Sequence, residues 1–579
     1  MRRLNLLPLL VLLSCKGGGE TDDTDVDPGY QPDLACPGAE GCLTADGALQ
    51  AGAGTMSILP TCFEDWIDLN DDQEYDKRDE EFRDCGCDKL CPGDDGYTAA
   101  DEGEADGEFQ VVWMAGFQHS RAAMGVRDVS TGLRDIGEGD GLWAKTAVFR
   151  QGDSTVAIVA LDLVGYFYEP GVARIRELAA ERNLDVDLIV VHSTHVHEGP
   201  DTMGIWGPNL VTTGVNDDYY EYVAQQAAAS IEEAVGALTP VATMHVGSVD
   251  STSYSDRGTR GIVNDTRDPY VVDERVGGAR FVDGSGQTIL SLINFGNHPE
   301  TTSDENLLLT SDFVHAARKG VEDGIHFDSF DKDGVGGTAI YINSTVGGMM
   351  TPLRQSFVDH DGAEWSASSF EKADTVGMRI AEVALDAMGS ESTEVAEPAL
   401  AFRSKTYFLT MENLAFQAMY LTGVLNRPAY NYDETMPMSD DNRPQVFTEV
   451  DVVEIGPLQM VTVPGELFPE ALVGGYDGSH INTPDVEIFE ADNPNPPDIA
   501  NAPTGPYLID HFTLDHRWVI GMGNDELGYF IPKFNFEVDP IIPYVEEAPG
   551  DHYEETNSLG PEAADAVVEE CRQLLQWTP

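Results

Sequence analysis

Residues 188–200 read LIVVHSTHVHEGP. The first four form a short apolar run without alternation, which is typical of a strand in a sheet covered on both faces. His195 and His197 follow this run within a few residues. Because α/β proteins place their sites beyond the carboxyl ends of such strands, the stretch predicts a functional edge of a helix-covered sheet.

Three other segments repeat this plan of an apolar strand followed by a potential metal ligand. They are 290–295 followed by His298, 460–463 followed by Glu466, and 519–522 followed by a turn that ends at Tyr529. Strand ends of one polarity gather at one edge of a covered sheet, and rigid strands hold ligands to the tolerance that a metal demands. We therefore expect these side chains to lie together.

The residue types at these strand ends indicate zinc chemistry. Two neutral imidazoles and a carboxylate suit zinc, which favours nitrogen and oxygen donors in a tetrahedral array. Three protein ligands leave a position for water, whose pKa zinc lowers towards neutrality. His197, two residues beyond His195, can bind that water or take its proton. Each motif alone is also typical of an ordinary turn, so the prediction of a zinc hydrolase depends on the joint pattern.

Short apolar runs alternate with amphipathic segments along most of the chain, which predicts a mixed α/β fold with sheets flanked by helices. The predicted strands are 143–149, 156–162, 188–192, 288–295, 338–342, 458–463 and 518–522. The predicted helices are 171–183, 218–238, 370–388 and 561–576. No internal repeat is visible in the sequence.

The N-terminus has the pattern of a bacterial lipoprotein signal. A positive MRR start is followed by an apolar run and by LLSC, which ends at Cys15. We predict a signal peptide over 1–14, a lipid anchor on Cys15 and an acidic flexible tether over 15–33. An ordinary secretory signal with an incidental cysteine is the alternative. Lys16, where an inner-membrane retention signal would have Asp, favours a cell-envelope location at the outer membrane or cell surface.

The charge balance excludes one class of partner. The chain has 33 Lys and Arg against 102 Asp and Glu. Binding nucleic acid needs a basic face that displaces counterions, so we predict no nucleic-acid partner. The same charge argues against electrostatic docking on anionic lipid.

Six cysteines lie in residues 34–107, a segment that is acidic, glycine-rich and low in hydrophobicity. In an exported chain they predict up to three disulfides, although a zinc module on the last three of them is the alternative. Cys571 is predicted to be a free thiol, unless one of the six is unpaired and reaches it. We divide the chain into this Cys-rich segment and one large catalytic domain over 108–579.

Four ordered blocks of the sequence resemble the neutral/alkaline non-lysosomal ceramidase family. They are GLW at 141–143 with STHVHEGP at 193–200, NFGNHP at 294–299 with TSD at 310–312, VPGE at 463–466, and GMGN at 521–524 followed by Tyr529. The resemblance implies a zinc ion held by His195, His298, Glu466 and Tyr529, with His197 beside the zinc-activated water. It also implies hydrolysis of the amide bond of N-acylsphingosine or a related N-acyl lipid, with that lipid or N-acyl amide as the partner.

The chain departs from the family pattern near its predicted catalytic hydroxyl. The family box GDVSPN, whose Ser has an assigned catalytic role, matches GMMTP at 348–352. Thr351 therefore stands in place of that Ser as the candidate catalytic hydroxyl, with Ser344 as the alternative. Trp143 stands where the family has a His. A different amide or ester substrate, or a non-catalytic surface lipoprotein, are the alternative functions.

One loop is a candidate calcium site. Residues 328–334 read DSFDKDG, and closely spaced carboxylates followed by Gly can wrap a cation. The distal acidic ligand is not in register, and an acidic surface loop is the alternative.

Overall fold

The computed structural model describes residues 27–128, 140–251, 262–437, 439, 441–478 and 487–579. The predicted signal peptide, Cys15 and most of the predicted tether lie outside these residues. The last tether residues contact the domain, because the Asp33 carboxylate accepts a hydrogen bond from the backbone N–H of Thr406 at 2.8 Å.

All seven predicted strands are present, with ends that differ by no more than two residues. The described strands are, in chain order, β1 (Leu34–Cys36), β2 (Gln50–Ser57), β3 (Gly125–Val126), β4 (Trp143–Gln151), β5 (Ser154–Leu161), β6 (Leu188–Ser193), β7 (Thr239–Pro240), β8 (Thr243–Asp250), β9 (Asn264–Asp265), β10 (Arg275–Val282), β11 (Thr288–Phe295), β12 (Leu308–Leu309), β13 (Gly324–His326), β14 (Asp331–Asp333), β15 (Thr338–Asn343), β16 (Met350–Thr351), β17 (Phe357–Val358), β18 (Glu364–Trp365), β19 (Thr393–Val395), β20 (Leu400–Thr410), β21 (Gln445–Ile455), β22 (Leu458–Thr462), β23 (Glu466–Leu467), β24 (His516–Ile520) and β25 (Tyr529–Phe530).

The four predicted helices are also present, as the first, second, fourth and last of the described α-helices. These are α1 (Ala173–Glu181), α2 (Asp217–Gly236), α3 (Phe313–Glu322), α4 (Phe370–Ala387), α5 (Leu414–Thr422), α6 (Pro469–Val473), α7 (Tyr553–Thr556) and α8 (Ala563–Gln576). Polar side chains fix where the longest two begin, since Asn216 caps α2 and Ser369 caps α4. None of the helices in the described part of the chain is long and apolar enough to span a bilayer.

Three five-stranded sheets share one topology. Their strand orders are β7-β2-β4-β5-β6 in the first, β19-β8-β10-β11-β15 in the second and β1-β20-β21-β22-β24 in the third. In each sheet an antiparallel hairpin (β4-β5, β10-β11 or β21-β22) is followed by a crossover to a strand parallel to its second arm. The fold therefore contains a threefold structural repeat of the hairpin and its crossover strand.

The three sheets share one apolar core, and helices cover their other faces. Ile158 from the first sheet, Leu292 from the second and Met460 from the third belong to the same buried cluster. Helices α1 and α2 pack beside the first sheet, α3 and α4 on the second, and α8 on the third. This arrangement confirms the predicted mixed α/β class. It also brings the carboxyl ends of β6, β11 and β22, one strand from each sheet, to the same region of the molecule.

Strand β2 lies inside the first sheet, although the sequence division placed it in the Cys-rich segment. Its glycines allow α2 to approach: a Cβ on Gly52 would lie 2.2 Å from the Ala234 carbonyl oxygen, and one on Gly54 would lie 2.1 Å from that of Ser230. Its small residues, QAGAGTMS, make β2 weakly hydrophobic. For that reason the composition grouped it with the Cys-rich segment, which the sequence division ended at residue 107. Residues before 108 therefore contribute β1 to the third sheet and β2 to the first.

The cysteines of this region form disulfides. Cys36 pairs with Cys42, Cys62 with Cys87, and Cys85 with Cys91. Cys571 is a buried free thiol. The three predicted disulfides are confirmed, and the alternative of a cysteine zinc module is wrong because all three of its sulfurs are in disulfides.

Candidate metal centre and adjoining cavities

His195 is held by the segment that follows β5. After β6 ends, the backbone N–H of His195 donates to the Leu163 carbonyl at 3.0 Å. The residue has a left-handed φ of 68°, which a non-glycine side chain adopts only when its surroundings enforce it. Its Nδ1 donates to the Val164 carbonyl at 2.7 Å. In the neutral ring this bond makes Nε2 the nitrogen that is available as a ligand.

His298 is held in the same way by the segment that follows β11. Its Nδ1 donates to the Met350 carbonyl at 2.8 Å. Asn343, the last residue of β15, donates from Nδ2 to the carbonyls of Thr194 at 2.9 Å and Asn297 at 3.0 Å. One buried amide therefore ties the two histidine segments together.

Glu466 and Tyr529 are direct partners in the short parallel pair β23-β25. The Glu466 carboxylate faces both histidines, because its Oε2 lies 3.3 Å from Nε2 of His195 and 3.1 Å from Nε2 of His298. All three side chains are almost fully buried. The four predicted ligands thus come from all three sheets to one place, with Tyr529 in the adjoining wall.

These donors fit a tetrahedral metal ion. Ligand atoms 2.0–2.1 Å from zinc at tetrahedral angles lie about 3.3 Å apart, close to the distances between Glu466 and the two histidines. Burial would lower the pKa of His298, but the hydrogen bond to Glu466 and neighbouring carboxylates raise it to about 9. Without a cation, a proton on Nε2 of His298 is therefore shared with the Glu466 carboxylate. A metal ion would take the position of that proton. His197 lies nearby, since one ring nitrogen of each of His195, His197 and His298 lies within 4.8 Å of the other two.

His197 faces a buried carboxylate that the sequence reasoning missed. Its Nδ1 lies 3.2 Å from Oε2 of Glu300, and Thr351 donates its hydroxyl proton to Oε1 of the same carboxylate. Burial lowers the pKa of His197 to about 4, so the ring is neutral at pH 7. Neither ring nitrogen has a hydrogen bond of good geometry among the described residues, so Nδ1 makes a close polar contact with Glu300 and Nε2 is free. The signal for Glu300 was the Asn-His-Pro-Glu run, in which it lies two residues after His298.

The structure separates the two candidate hydroxyls. Thr351 lies next to Glu300 and close to the histidines. Ser344 is buried in the turn after β15, where its carbonyl packs against Gly521, and it lines neither of the two cavities that meet at the histidines.

The candidate calcium loop forms a hairpin instead of a cation cage. Asp331 and Asp333 lie on the exposed strand β14, which pairs with β13. Asp331 accepts a hydrogen bond from His326 Nδ1 at 2.7 Å. In the described part of the chain, the groups of metal-ligating side chains that converge lie elsewhere.

Two solved structures share this fold. The crystal structure of neutral ceramidase from Pseudomonas aeruginosa aligns with a TM-score of 0.57 at 13% identity, over 92% of this chain and 74% of that chain. A ceramidase complexed with C2 aligns with a TM-score of 0.54 at 12% identity, over 92% of this chain and 75% of that chain. This chain has the neutral ceramidase fold. No protein-family profile matches the sequence, and no curated protein is detectably similar to it.

Two cavities meet at the histidines of this neutral ceramidase fold. The first, here called the apolar cavity, is lined by Val164, Phe167, Met203, Ile205, Trp206, Phe416, Tyr420, Leu425 and Leu527 together with His195, Glu466 and Glu526. The second, here called the polar cavity, is lined by Arg267, Glu300, Thr351, Arg354, Glu547, Asp551 and Glu554 among others. His197, Tyr529 and Tyr553 line both. A ligand with an apolar and a polar part could therefore cross the centre between them.

Glu470, which is buried in α6, predicts a pH dependence of stability. Its Oε2 has no hydrogen-bond partner in the described structure, and burial raises its pKa to about 8. The unfolded chain ionises this carboxyl near pH 4.5, so the folded state binds the extra proton between about pH 4.5 and 8. Stability should fall as pH rises through this window, by up to about 1.4 kcal/mol per unit.

The variant Glu470→Gln tests this expectation, since it cannot ionise. Urea unfolding at pH 5.5 and 8 should show a smaller pH-dependent loss of stability for Glu470→Gln than for the parent. The exposed residue Glu434 provides the control, Glu434→Gln, which should follow the parent at both pH values. An unchanged pH dependence in Glu470→Gln would contradict the assignment.

Proposed function

We propose that the chain is a zinc-dependent amidohydrolase that cleaves the amide bond of an N-acyl lipid such as N-acylsphingosine. One observation supports this most directly. The Nε2 atoms of His195 and His298 converge on the Glu466 carboxylate at the inner end of a cavity with apolar walls. Two ceramidases of known structure share this fold, which supports the same assignment.

We assign His195, His298, Glu466 and Tyr529 as the residues that would hold zinc. When bound, zinc supplies a Lewis acid that polarises the amide carbonyl and lowers the pKa of water. Burial and the charge of Glu466 hold the pKa of Tyr529 well above its usual value. Its phenol is therefore a neutral neighbour of Glu466 until a cation offsets that charge.

His197 is the group that moves protons in this proposal. Its ring is neutral, and its Nε2 is free to accept a proton from water and pass it to the leaving amine. Glu300 orients the ring through Nδ1, in the manner of a carboxylate that fixes a catalytic histidine. Thr351 in turn holds Glu300, so we assign its hydroxyl to positioning and not to nucleophilic attack.

The two cavities suggest how a lipid amide would lie. Its acyl chain would occupy the apolar cavity, where the walls bury hydrocarbon. Its polar part would enter the polar cavity, where Arg267, Arg354 and several carboxylates can bind hydroxyl and amine groups. The amide would then lie beside His197 and Tyr529, which belong to both cavities.

Turnover by the zinc-loaded protein tests the function. The panel should contain N-acylsphingosines of several chain lengths, other N-acyl lipids, simple amides and the matching esters. We expect fatty acid release from an N-acyl lipid together with one zinc per chain. Release from esters or simple amides alone would favour the alternative substrate class, and the absence of stoichiometric zinc would contradict the proposal.

We also propose that Cys15 carries a lipid that anchors the protein in the cell envelope, on the evidence of the LLSC motif. Mass spectrometry of the N-terminal peptide from the native host should show a diacylated Cys15. An unmodified peptide that retains residues 1–14 would contradict this.

Glu300→Gln is expected to lower kcat by about 10- to 100-fold with little change in zinc content, because an outer partner of a catalytic histidine is weakened. The amide keeps the size of the carboxylate and still accepts from Thr351, so folding should be preserved. Separate measurement of kcat, KM and bound zinc checks the prediction. An equal loss of zinc, or a change in KM alone, would show that Glu300 does not act through His197.

A further inference from the structure

Four large apolar side chains are exposed on the loop and the helix that line the apolar cavity, and we call them the apolar rim. Leu210 and Val211 are 65% and 77% exposed at the tip of one loop, and Leu414 and Leu421 are 56% and 59% exposed on α5. Exposed apolar groups that cluster around a cavity are typical of an interaction surface, whereas scattered ones are not.

The apolar rim and the wall of the apolar cavity are formed by opposite sides of the same two elements, α5 and the loop that follows Trp206. On α5, Phe416 and Tyr420 are one turn apart and line the cavity. Leu414 and Leu421, two turns apart, lie on the opposite, outward side of this helix. In the same way, Trp206 lines the cavity while the loop that it begins carries the exposed tip.

The two rim segments touch each other and carry no charge. A Cβ on Gly204 would lie 2.1 Å from the Val424 carbonyl oxygen, so the loop and the turn after α5 are in direct contact. Residues 202–216 and 413–426 contain no Asp, Glu, Lys or Arg, although 23% of all residues in the chain are charged. The rim is therefore an uncharged apolar surface on a protein with a formal net charge of -69.

We propose that the apolar rim docks on an uncharged, zwitterionic lipid bilayer, from which a substrate chain enters the apolar cavity. The choice of a lipid surface rests on the proposed function. Three occupants could cover the rim: an anionic bilayer, a zwitterionic bilayer and a second copy of the chain. The strong negative charge of the protein repels the first and the third, so it favours the zwitterionic bilayer. Because the rim and the cavity wall lie on the same two uncharged segments, an acyl chain that leaves the bilayer would pass along apolar side chains to the cavity.

Flotation with phosphatidylcholine vesicles tests the proposal without any turnover. The protein is the chain from residue 16 onwards, which keeps every described element and lacks the predicted lipid site. We expect it to float with the vesicles, and Leu414→Glu/Leu421→Lys to lower the partition coefficient at least about tenfold. Glu at the start and Lys at the end of α5 suit its dipole, so the helix should persist. The control is Leu43→Glu/Leu69→Lys, which changes residues of similar exposure, 66% and 67%, in the N-terminal region.

The outcomes separate this proposal from the proposed function. Equal flotation of parent and rim variant, or no flotation of the parent, would overturn the docking surface. A parent that sediments as a dimer which the rim variant dissociates would show a second copy as the occupant and would also overturn it. Hydrolysis of a short-chain, water-soluble amide should be the same in parent and rim variant. If it is absent in both while flotation behaves as expected, the proposed function fails and the docking surface stands.

Discussion

Alanine in place of His195 is expected to remove the bound zinc and to lower amide hydrolysis by at least about 10³-fold. His195 supplies one of the two nitrogens that face Glu466, and the ring is locked in that role by the Val164 carbonyl. Alanine leaves His298 as the single nitrogen ligand of the set, beside Glu466 and the protonated Tyr529, which is too few strong donors for a stable zinc site. Zinc per chain after dialysis and fatty acid release from an N-acyl lipid are the two measurements.

Two further histidine variants make the result interpretable. His360→Ala removes another buried histidine that binds a carboxylate, Glu382, at 2.8 Å, but it lies outside both cavities. It should keep zinc and activity. His197→Ala should keep zinc and lose activity, because we assign His197 to proton transfer. Loss of zinc from His197→Ala would show that the three clustered histidines are the ligands, and it would exclude our ligand set.

The parts of this centre that the sequence predicted are those that follow strong apolar strands. The runs before His195, His298 and Glu466 are buried and uninterrupted, so their ends could be placed within two residues. Since a parallel strand must end at a sheet edge, the meeting of these ends was a physical expectation. Long strands with mixed composition escaped the same reasoning. Strand β20 reads LAFRSKTYFLT, and its charged and polar residues mask its character as a strand. It is nevertheless an interior strand of the third sheet, between β1 and β21.

The residues that join the segments could not be predicted, because their partners are distant in the chain. Asn343 is one polar residue at the end of β15, and only the fold shows that it bridges the turns before His195 and His298. Glu300 becomes significant once His197 and Thr351 lie on either side of it. Each of the three sheets contributes at least one strand that ends near this centre: β6 from the first, β11 from the second, and β22 and β24 from the third.

The second large effect expected concerns stability: Arg267→Met should lower the free energy of unfolding by about 3–5 kcal/mol. Arg267 is 4% exposed and donates to Glu555 at 2.8 and 3.0 Å, to Glu554 and to the Asn535 carbonyl at 2.7 Å. It thereby connects the segment after β9 with the C-terminal turn that carries Tyr553. Methionine of similar length would leave two buried carboxylates without their cation. The midpoint of urea unfolding, followed by circular dichroism, measures the loss.

Two companion variants identify the buried charge as the cause. Arg267→Met combined with Glu554→Gln and Glu555→Gln should recover part of the lost stability, because no uncompensated carboxylate remains. Arg174→Met breaks a partly exposed ion pair with Glu221 at 3.0 Å and should change stability by less than about 1 kcal/mol. If Arg267→Met behaved like Arg174→Met, the buried network would contribute little to holding the C-terminal turn. The position of Tyr553 would then have to depend on its apolar neighbours, such as the ring of Tyr529 at 6.3 Å.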